Sequence, residues 1–401
     1  MDFYYSVEEV FDIYMRAVWM MFFLGHTAFR DYIPSIQSLT LYILLASIAM
    51  YFIKIVLENE MNIARELIPR VTIIYSFFAL DVFLSRRYGV MVESSPDMLK
   101  YICKFNLLAV LAMDIFTVSR KRMDELLKLY LVSMTITAVV ITVTTPVSLW
   151  GNENGYGGIT NIHRNTASLI YVIAFCIALY FIESTKRIPY IGIAFVLFMA
   201  NLITGSRKGI IQILFAFAIF LLVHGKIKLK VKYIFYLILT LGMVILAYIY
   251  IPWFRDTFGE RMLAIFDDSI EDTSKYYRTL YRTLAFYAFL DHPVFGYGYE
   301  AFPLINEFIT GLRLYSHCNF TELLCNYGIV GFSLYYVNYA ISLVKALVHR
   351  KDPIAKFIFY TVIPLILIEY GQIDYSISAG AYAVLITLTS AKVLTPRFQG
   401  V

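Results

Sequence analysis

The segment SHCNFTELLCNYGIVG, residues 316–331, runs from a histidine directly into a hydrophobic stretch that is long enough to cross a membrane. Its first three helical turns hold four polar side chains, His317, Asn319, Glu322 and Asn326. Ionisable and amide groups are expensive to place in lipid and usually mark a functional site where they occur. The segment therefore predicts a membrane helix whose entrance carries function.

The composition is that of a membrane protein. Hydrophobic residues make up 60% of the 401 residues and charged residues only 16%, and the mean hydropathy is +0.68. Because an average soluble domain is about 25% charged, a soluble globule is excluded. The apolar runs do not alternate with polar residues, which favours helices over a closed barrel. We predict one all-α, polytopic integral membrane domain over residues 1–401.

We predict twelve membrane spans from the apolar runs, because a helix of about 20 apolar residues crosses a bilayer core of about 30 Å. They lie at 11–29, 39–57, 70–86, 101–118, 128–147, 165–183, 189–204, 209–224, 231–252, 320–346, 354–372 and 377–394. In this arrangement one face collects four loops rich in Lys and Arg, at 119–128, 184–187, 225–232 and 349–352. The positive-inside rule makes that face cytoplasmic and places both termini inside.

The longest connection, residues 253–319, falls on the opposite face and is predicted to be extracytoplasmic. Apolar residues recur in it at helical spacing, at Tyr277, Leu280, Tyr281, Leu284, Ala285, Ala288 and Phe289. This pattern predicts an amphipathic helix lying near the membrane surface. Pro293, Gly296 and Gly298 then predict a turn.

Arginine occurs on the predicted outer face against the topological bias. Arg278 and Arg282 share one helix face, where like charges repel unless an anion such as a diphosphate lies between them. In GSRKG, residues 205–209, Arg207 and Lys208 open a helix whose free N–H groups also favour an anion. Two plainer interpretations stay open: arginines that reach lipid headgroups, and a tight hairpin with interfacial cations.

His317 lies at the outer end of the tenth span. A neutral imidazole there can accept a proton from a sugar hydroxyl near neutral pH, although a lone interfacial histidine also fits a structural role. Glu322 lies one turn deeper, where it could orient groups at the mouth or satisfy neighbouring helices. Glu369 and Asp374 lie at the outer end of the eleventh span and are candidate carboxylate bases.

Three motifs occur in a fixed order. GSRKG comes first, then Arg278 followed by HPxxGxG, and then HxNxxxLLxxxGxxG from His317. Together, over residues 190–335, they resemble the O-antigen polymerase and O-antigen ligase-like family of bacterial envelope membrane proteins, which includes the Wzy-type polysaccharide polymerases. Asn165 stands where that family usually has an asparagine. In one departure, Cys318 follows the histidine, where the family commonly has asparagine.

The resemblance implies a C-type glycosyltransferase fold and a donor glycan carried on undecaprenyl diphosphate. By position, Arg207 and Arg278 would hold the diphosphate with support from Arg282, and His317 would activate the acceptor hydroxyl. The reaction would invert the anomeric carbon without metal or cofactor. Further residues are predicted to bind substrate, namely Ser206, Lys208, Arg164, Asn165, Asn319, Glu322, Glu369 and Asp374.

We interpret the chain as a polymerase that joins lipid-linked repeat units into a capsule, exopolysaccharide or O-antigen, at the outer face of a bacterial cytoplasmic membrane. The predicted partners are the lipid-linked oligosaccharide as donor and acceptor, the bilayer, and as candidates a chain-length regulator and a flippase, but no nucleic acid. The same motifs leave open an O-antigen ligase of lipopolysaccharide and a protein O-oligosaccharyltransferase. A transporter or flippase is disfavoured because its polar residues would gather at the bilayer midplane on repeated, broken helices.

Overall fold

The computed structural model describes four continuous segments, residues 7–25, 120–150, 162–224 and 273–373. It also describes single positions at 42, 46, 49, 156, 231, 234–235, 238–239, 242, 245–246, 248–250, 255, 390–391 and 393–394. Every regular element in this part of the chain is helical, in agreement with the predicted all-α class. The chain divides into two compact units, Met1–Met61 with Asp124–Asp267, and Asn62–Met123 with Asp268–Val401.

The first unit contains the helices α1 (Val7–Gly25), α3 (Arg164–Thr185), α4 (Pro189–Ile203), α5 (Arg207–Val223) and most of α2 (Arg120–Thr144). Helix α3 is its centre, since every side chain from residue 167 to 182 is buried. The Tyr180 hydroxyl of α3 donates to Oδ1 of Asp124 at 2.7 Å, which ties α3 to α2. The Phe23 and Tyr130 rings, 5.3 Å apart, pack α1 against α2.

Short turns make α3, α4 and α5 successive antiparallel neighbours, so α3 and α5 run in the same direction. Asn201 of α4 is 1% exposed and donates from Nδ2 to the carbonyl oxygen and Oγ of Ser168 on α3, both at 3.1 Å. A Cβ at Gly209 of α5 would lie 1.6 Å from Oγ of Ser168. Glycine at this position therefore lets three apolar helices approach closely around one buried polar contact.

Several predicted membrane spans coincide with described helices. Helices α2, α3 and α8 (Asn319–Val348) are long and apolar enough to cross a membrane, and α4 and α9 (Pro353–Ile368) are shorter apolar helices. The predicted spans 70–86 and 101–118 lie outside the described residues, as do most of 39–57 and 377–394 and half of 231–252. The number of spans, the predicted single domain and the side on which residues 253–319 lie stay predictions.

The second unit contains α6 (Thr273–Asp291), α7 (Ala301–Thr310), α8 and α9. Helix α6 is the amphipathic helix that the sequence predicts, with Tyr281, Ala285 and Ala288 buried against Phe302 of α7 and Cys325 of α8. Helix α7 is not predicted by the sequence pattern. It has only ten residues and directly follows the Gly-rich turn. In so short a segment, apolar periodicity does not distinguish a helix from a loop.

Helix α8 is broken at Gly328, where φ is 62° and ψ is −168°, a region of backbone space that is essentially restricted to glycine. The Phe320 ring stacks on the Tyr336 ring at 5.2 Å, although a straight helix would separate these residues by about 24 Å. The chain therefore folds back at Gly328 into a first arm, residues 319–327, and a second arm, residues 329–348.

The predicted tenth span, 320–346, is thus not one continuous helix. Only the second arm has the length of a membrane crossing, about 30 Å at 1.5 Å per residue. The hydropathy of the sequence continues through Gly328 without interruption, because the residues on both sides of it are apolar. A reversal of direction leaves no trace in such a pattern.

The turn between α6 and α7 fills the break in α8. In a regular helix the N–H groups of Ile329 and Val330 would bond the carbonyls four residues earlier. Instead they donate to the carbonyls of Pro293 and Val294, at 2.9 and 3.2 Å. The two carbonyls left over, of residues 325 and 326, accept from the N–H groups of residues 297 and 298, at 2.9 and 2.7 Å. The turn thereby satisfies these four backbone groups beside the break.

Polar contacts fix the connection between the C-terminus of α8 and the N-terminus of α9. Asp352 caps α9 by accepting from the N–H of Ile354 at 2.8 Å, and it also accepts from both terminal nitrogens of Arg120, at 3.0 and 3.2 Å. Arg120 begins α2 and Asp352 precedes α9, and the sequence predicts that both belong to basic segments of one face. Their ion pair lies at one end of the second unit, and the α8 entrance, residues 316–319, lies at the other end.

Candidate functional site

The α8 entrance presents His317 in a strained conformation. Its φ is 60°, in the left-handed region, which is uncommon for residues other than glycine and recurs at functional sites. The imidazole is half-buried, and its centroid lies 4.2 Å from the exposed ring of Tyr315. The sequence predicts a functional histidine here, but it gives no sign of this backbone geometry.

Asn319 and Glu369 lie together at the start of α8, and Asn319 is two residues after His317. The Asn319 N–H donates to the carbonyls of Glu369 and Gln372, at 2.8 and 3.1 Å. Its Nδ2 donates to the Tyr336 hydroxyl at 3.0 Å, and that hydroxyl donates to the Glu369 carboxylate. The network closes the start of α8 against the end of α9. The sequence predicts that Asn319 and Glu369 bind substrate, and the structure gives both side chains partners within the protein.

Arg278 and Arg282 of α6 lie at this same end of the unit. The Arg282 guanidinium stands over the Tyr370 ring, 4.6 Å from its centroid, and its Nε donates to the Arg278 carbonyl at 3.0 Å. Since Tyr370 follows Glu369, the arginines lie close to the network that holds the α8 entrance. Nε of Arg278 is buried, and no described residue accepts a hydrogen bond from it.

Glu300 is a candidate site residue that sequence reasoning missed. It precedes α7 with a left-handed φ of 51° and accepts at Oε1 from the Tyr299 hydroxyl at 3.0 Å. Burial raises the pKa of Tyr299 well above its usual range, and the charges of Glu300 and then Glu322 raise it further. The hydroxyl of Tyr299 therefore acts as a hydrogen-bond donor to Glu300. The surrounding FGYGYEAF indicates only a turn, so nothing local distinguishes this glutamate.

In the first unit, GSRKG forms the turn between α4 and α5. Gly205 has a φ of 64° after the end of α4, as C-terminal caps require. Ser206 is the N-cap of α5, and its Oγ donates to Oδ1 of Asn165 at 3.0 Å. Asn165 is the second residue of α3, so this bond joins the N-termini of two parallel helices.

The paired N-termini of α3 and α5 carry three cations, Arg164, Arg207 and Lys208, each half-buried and each with contacts inside the protein. Two sets of N-terminal N–H groups with arginine beside them favour an anion. The structure thus brings together Asn165, Ser206 and these cations, which the sequence predicts separately.

Asp374 lies outside the described residues. Within the ranges that the structure describes, no three His, Cys, Asp or Glu side chains are arranged to hold a metal ion. The described groups can bind anions through arginine and helix N-termini, and they can accept a proton through His317.

The described residues thus form an all-helical protein in which three helices are long and apolar enough to cross a membrane. Residues 192–336 match the family described as O-Antigen ligase (Wzy_C), which confirms over this range the resemblance that the motifs indicate. Comparison with curated proteins gives no match. The match supports a membrane enzyme of O-antigen-related polysaccharide synthesis that acts on a lipid-linked oligosaccharide.

Proposed function

We propose that the protein polymerises oligosaccharide repeat units carried on undecaprenyl diphosphate, at the outer face of the cytoplasmic membrane. One observation supports this proposal most strongly: in the second unit, the arginines of α6 and the α8 entrance lie at one end. Arg282 contacts Tyr370, and the adjacent Glu369 binds Asn319, two residues after His317. Phosphate-binding groups and a proton acceptor are what transfer from a lipid diphosphate requires.

In the proposed reaction, the acceptor hydroxyl oxygen attacks the anomeric carbon of the donor sugar. The hydroxyl proton passes to the imidazole of His317, and the bond between the anomeric carbon and the diphosphate oxygen breaks. Its electron pair leaves with undecaprenyl diphosphate. A single displacement of this kind inverts the anomeric carbon, and the imidazolium returns its proton to water.

Arg278 is proposed to bind the departing diphosphate. A buried donor without an acceptor destabilises a protein by about 1–3 kcal/mol, and a phosphate oxygen would satisfy Nε of Arg278. The planar guanidinium suits two-point contact with phosphate, and Arg282 adds positive charge one turn away. Stabilising the charge that develops on the leaving group is electrostatic catalysis.

The first unit offers a further phosphate-binding group. Arg207 and Lys208 begin α5 next to the N-terminus of α3, where Arg164 begins, and the bond between Ser206 and Asn165 holds the two ends together. We propose that this group binds an anion of the phosphate class. We also propose that both termini are cytoplasmic. The proposed partners are a chain-length regulator and a flippase.

An assay of the purified protein tests the reaction. Detergent-solubilised protein is given undecaprenyl-diphosphate-linked oligosaccharide as its only glycan, and products are separated by size. A polymerase produces a ladder of regularly spaced products. Transfer only to an added lipid A core or protein acceptor would identify a ligase or a protein O-oligosaccharyltransferase instead, and uptake without any covalent product would identify a transporter.

Arg278→Ala is expected to lower the rate of ladder formation by roughly 10²–10³-fold, the usual effect of removing one charge-stabilising donor. Arg278→Lys keeps the charge but not the planar fork, so its rate should be intermediate. Arg350→Ala, an exposed arginine at the opposite end of the unit, serves as the matched control and should keep the wild-type rate. An Arg278→Ala enzyme as active as this control would remove Arg278 from the site.

A further inference from the structure

Glu322 holds the backbone beside His317. It lies one turn into the first arm of α8, is 4% exposed, and accepts at Oε2 from the N–H of Ser316 at 2.6 Å. Ser316 is fully buried. A short bond from a buried N–H to a carboxylate is among the stronger hydrogen bonds in proteins, so this contact fixes the residue just before the histidine.

Ser316 also fixes the residue after the histidine. Its Oγ donates to the Cys318 carbonyl at 2.9 Å and accepts from the Cys318 N–H at 3.2 Å. Thr321 donates to the same Oγ at 3.5 Å. His317 is therefore held between two anchored residues, which explains how its left-handed φ of 60° is maintained. A strained conformation persists only where the surrounding structure imposes it.

We propose that Glu322 is a positioning residue, which keeps the 316–318 turn in the conformation that presents the His317 imidazole to the acceptor hydroxyl. This assignment rests on the proposed function, and it differs from the substrate contact that the sequence predicts for Glu322. The Glu322 carboxylate is buried and accepts from the N–H of Ser316, the residue before His317. It therefore acts on the reaction through the histidine. Displacing a catalytic group by about 1 Å can lower a rate roughly 100-fold.

Glu322→Ala should lower kcat of ladder formation roughly 100-fold and leave KM for the lipid-linked donor unchanged, because no substrate contact is lost. Glu322→Gln keeps an acceptor oxygen at the same reach and should recover most of kcat. Ser342→Ala is the matched control, since Ser342 is equally buried on the second arm of α8 and donates to the Asn338 carbonyl. It should keep the wild-type kcat.

The outcomes separate this inference from the proposed function. A raised KM with unchanged kcat in Glu322→Ala would make Glu322 a substrate contact and overturn the inference while the proposed reaction stands. If Glu322→Ala does not fold, Glu322→Gln and Ser316→Ala decide. Ser316→Ala should fold and lose kcat several-fold. A wild-type kcat in Ser316→Ala would overturn the inference. A Glu322→Gln protein as impaired as His317→Asn would overturn it too. Full activity of His317→Asn would overturn both.

Discussion

Gly328→Ala is expected to abolish the folded protein. Alanine would have to adopt a φ of 62° with an extended ψ, and backbone strain of this kind destabilises by about 1–3 kcal/mol. Its Cβ would also lie 2.3 Å from the Val294 carbonyl oxygen and 2.6 Å from the Phe295 nitrogen. Backbone atoms cannot rotate away, so the 293–298 turn would separate from α8 and leave its backbone groups unsatisfied. The combined loss, on the order of 5 kcal/mol or more, matches the whole stability of a typical domain.

Thermal unfolding in detergent, followed by size-exclusion chromatography, measures this effect. Gly296→Ala should behave like Gly328→Ala, because its Cβ would lie 2.5 Å from the Asn326 backbone at a φ of 70°. Gly311→Ala isolates the strain, since Gly311 has a φ of 75° and open space around it. That control should lose only about 1–2 kcal/mol. A Gly328→Ala protein with the Tm of Gly311→Ala would contradict the role assigned to the break.

His317→Asn is expected to remove ladder formation almost completely while the protein remains folded. A positioned general base typically contributes roughly 10²–10⁴-fold to a rate, and asparagine cannot replace imidazole in that role. Asparagine does tolerate the left-handed region better than most residues, so the turn at φ 60° should keep its conformation. The substitution thereby separates proton transfer from backbone geometry.

Two measurements check this result, the rate of ladder formation and the Tm of the same preparation. His349→Asn provides the matched control, since His349 caps the opposite end of α8, where its Nδ1 lies 3.0 Å from the Lys345 carbonyl oxygen. It should keep the wild-type rate. If His317→Asn were as active as His349→Asn at equal stability, His317 would not be the proton acceptor.

Much of the candidate site could be predicted because its residues depart from their surroundings. His317 and Glu322 stand out in an apolar segment, and Arg207 and Arg278 stand out against the charge bias of their predicted face. Glu300 and Tyr336 could not be found in the same way. Tyr336 is one of many aromatic residues in a hydrophobic run, and only the fold-back of α8 brings its hydroxyl to Asn319 and Glu369.

The sequence by itself determined that this is a helical membrane protein, where most of its described helices lie, and which segment carries the family motifs. Hydropathy and charge report the local environment of each residue, and that information is contained in short windows. Tertiary structure alone decided that α8 reverses at Gly328 and that the 293–298 turn completes its hydrogen bonds. The partners in those bonds lie about thirty residues apart in the chain, so neither segment alone reveals that it needs the other.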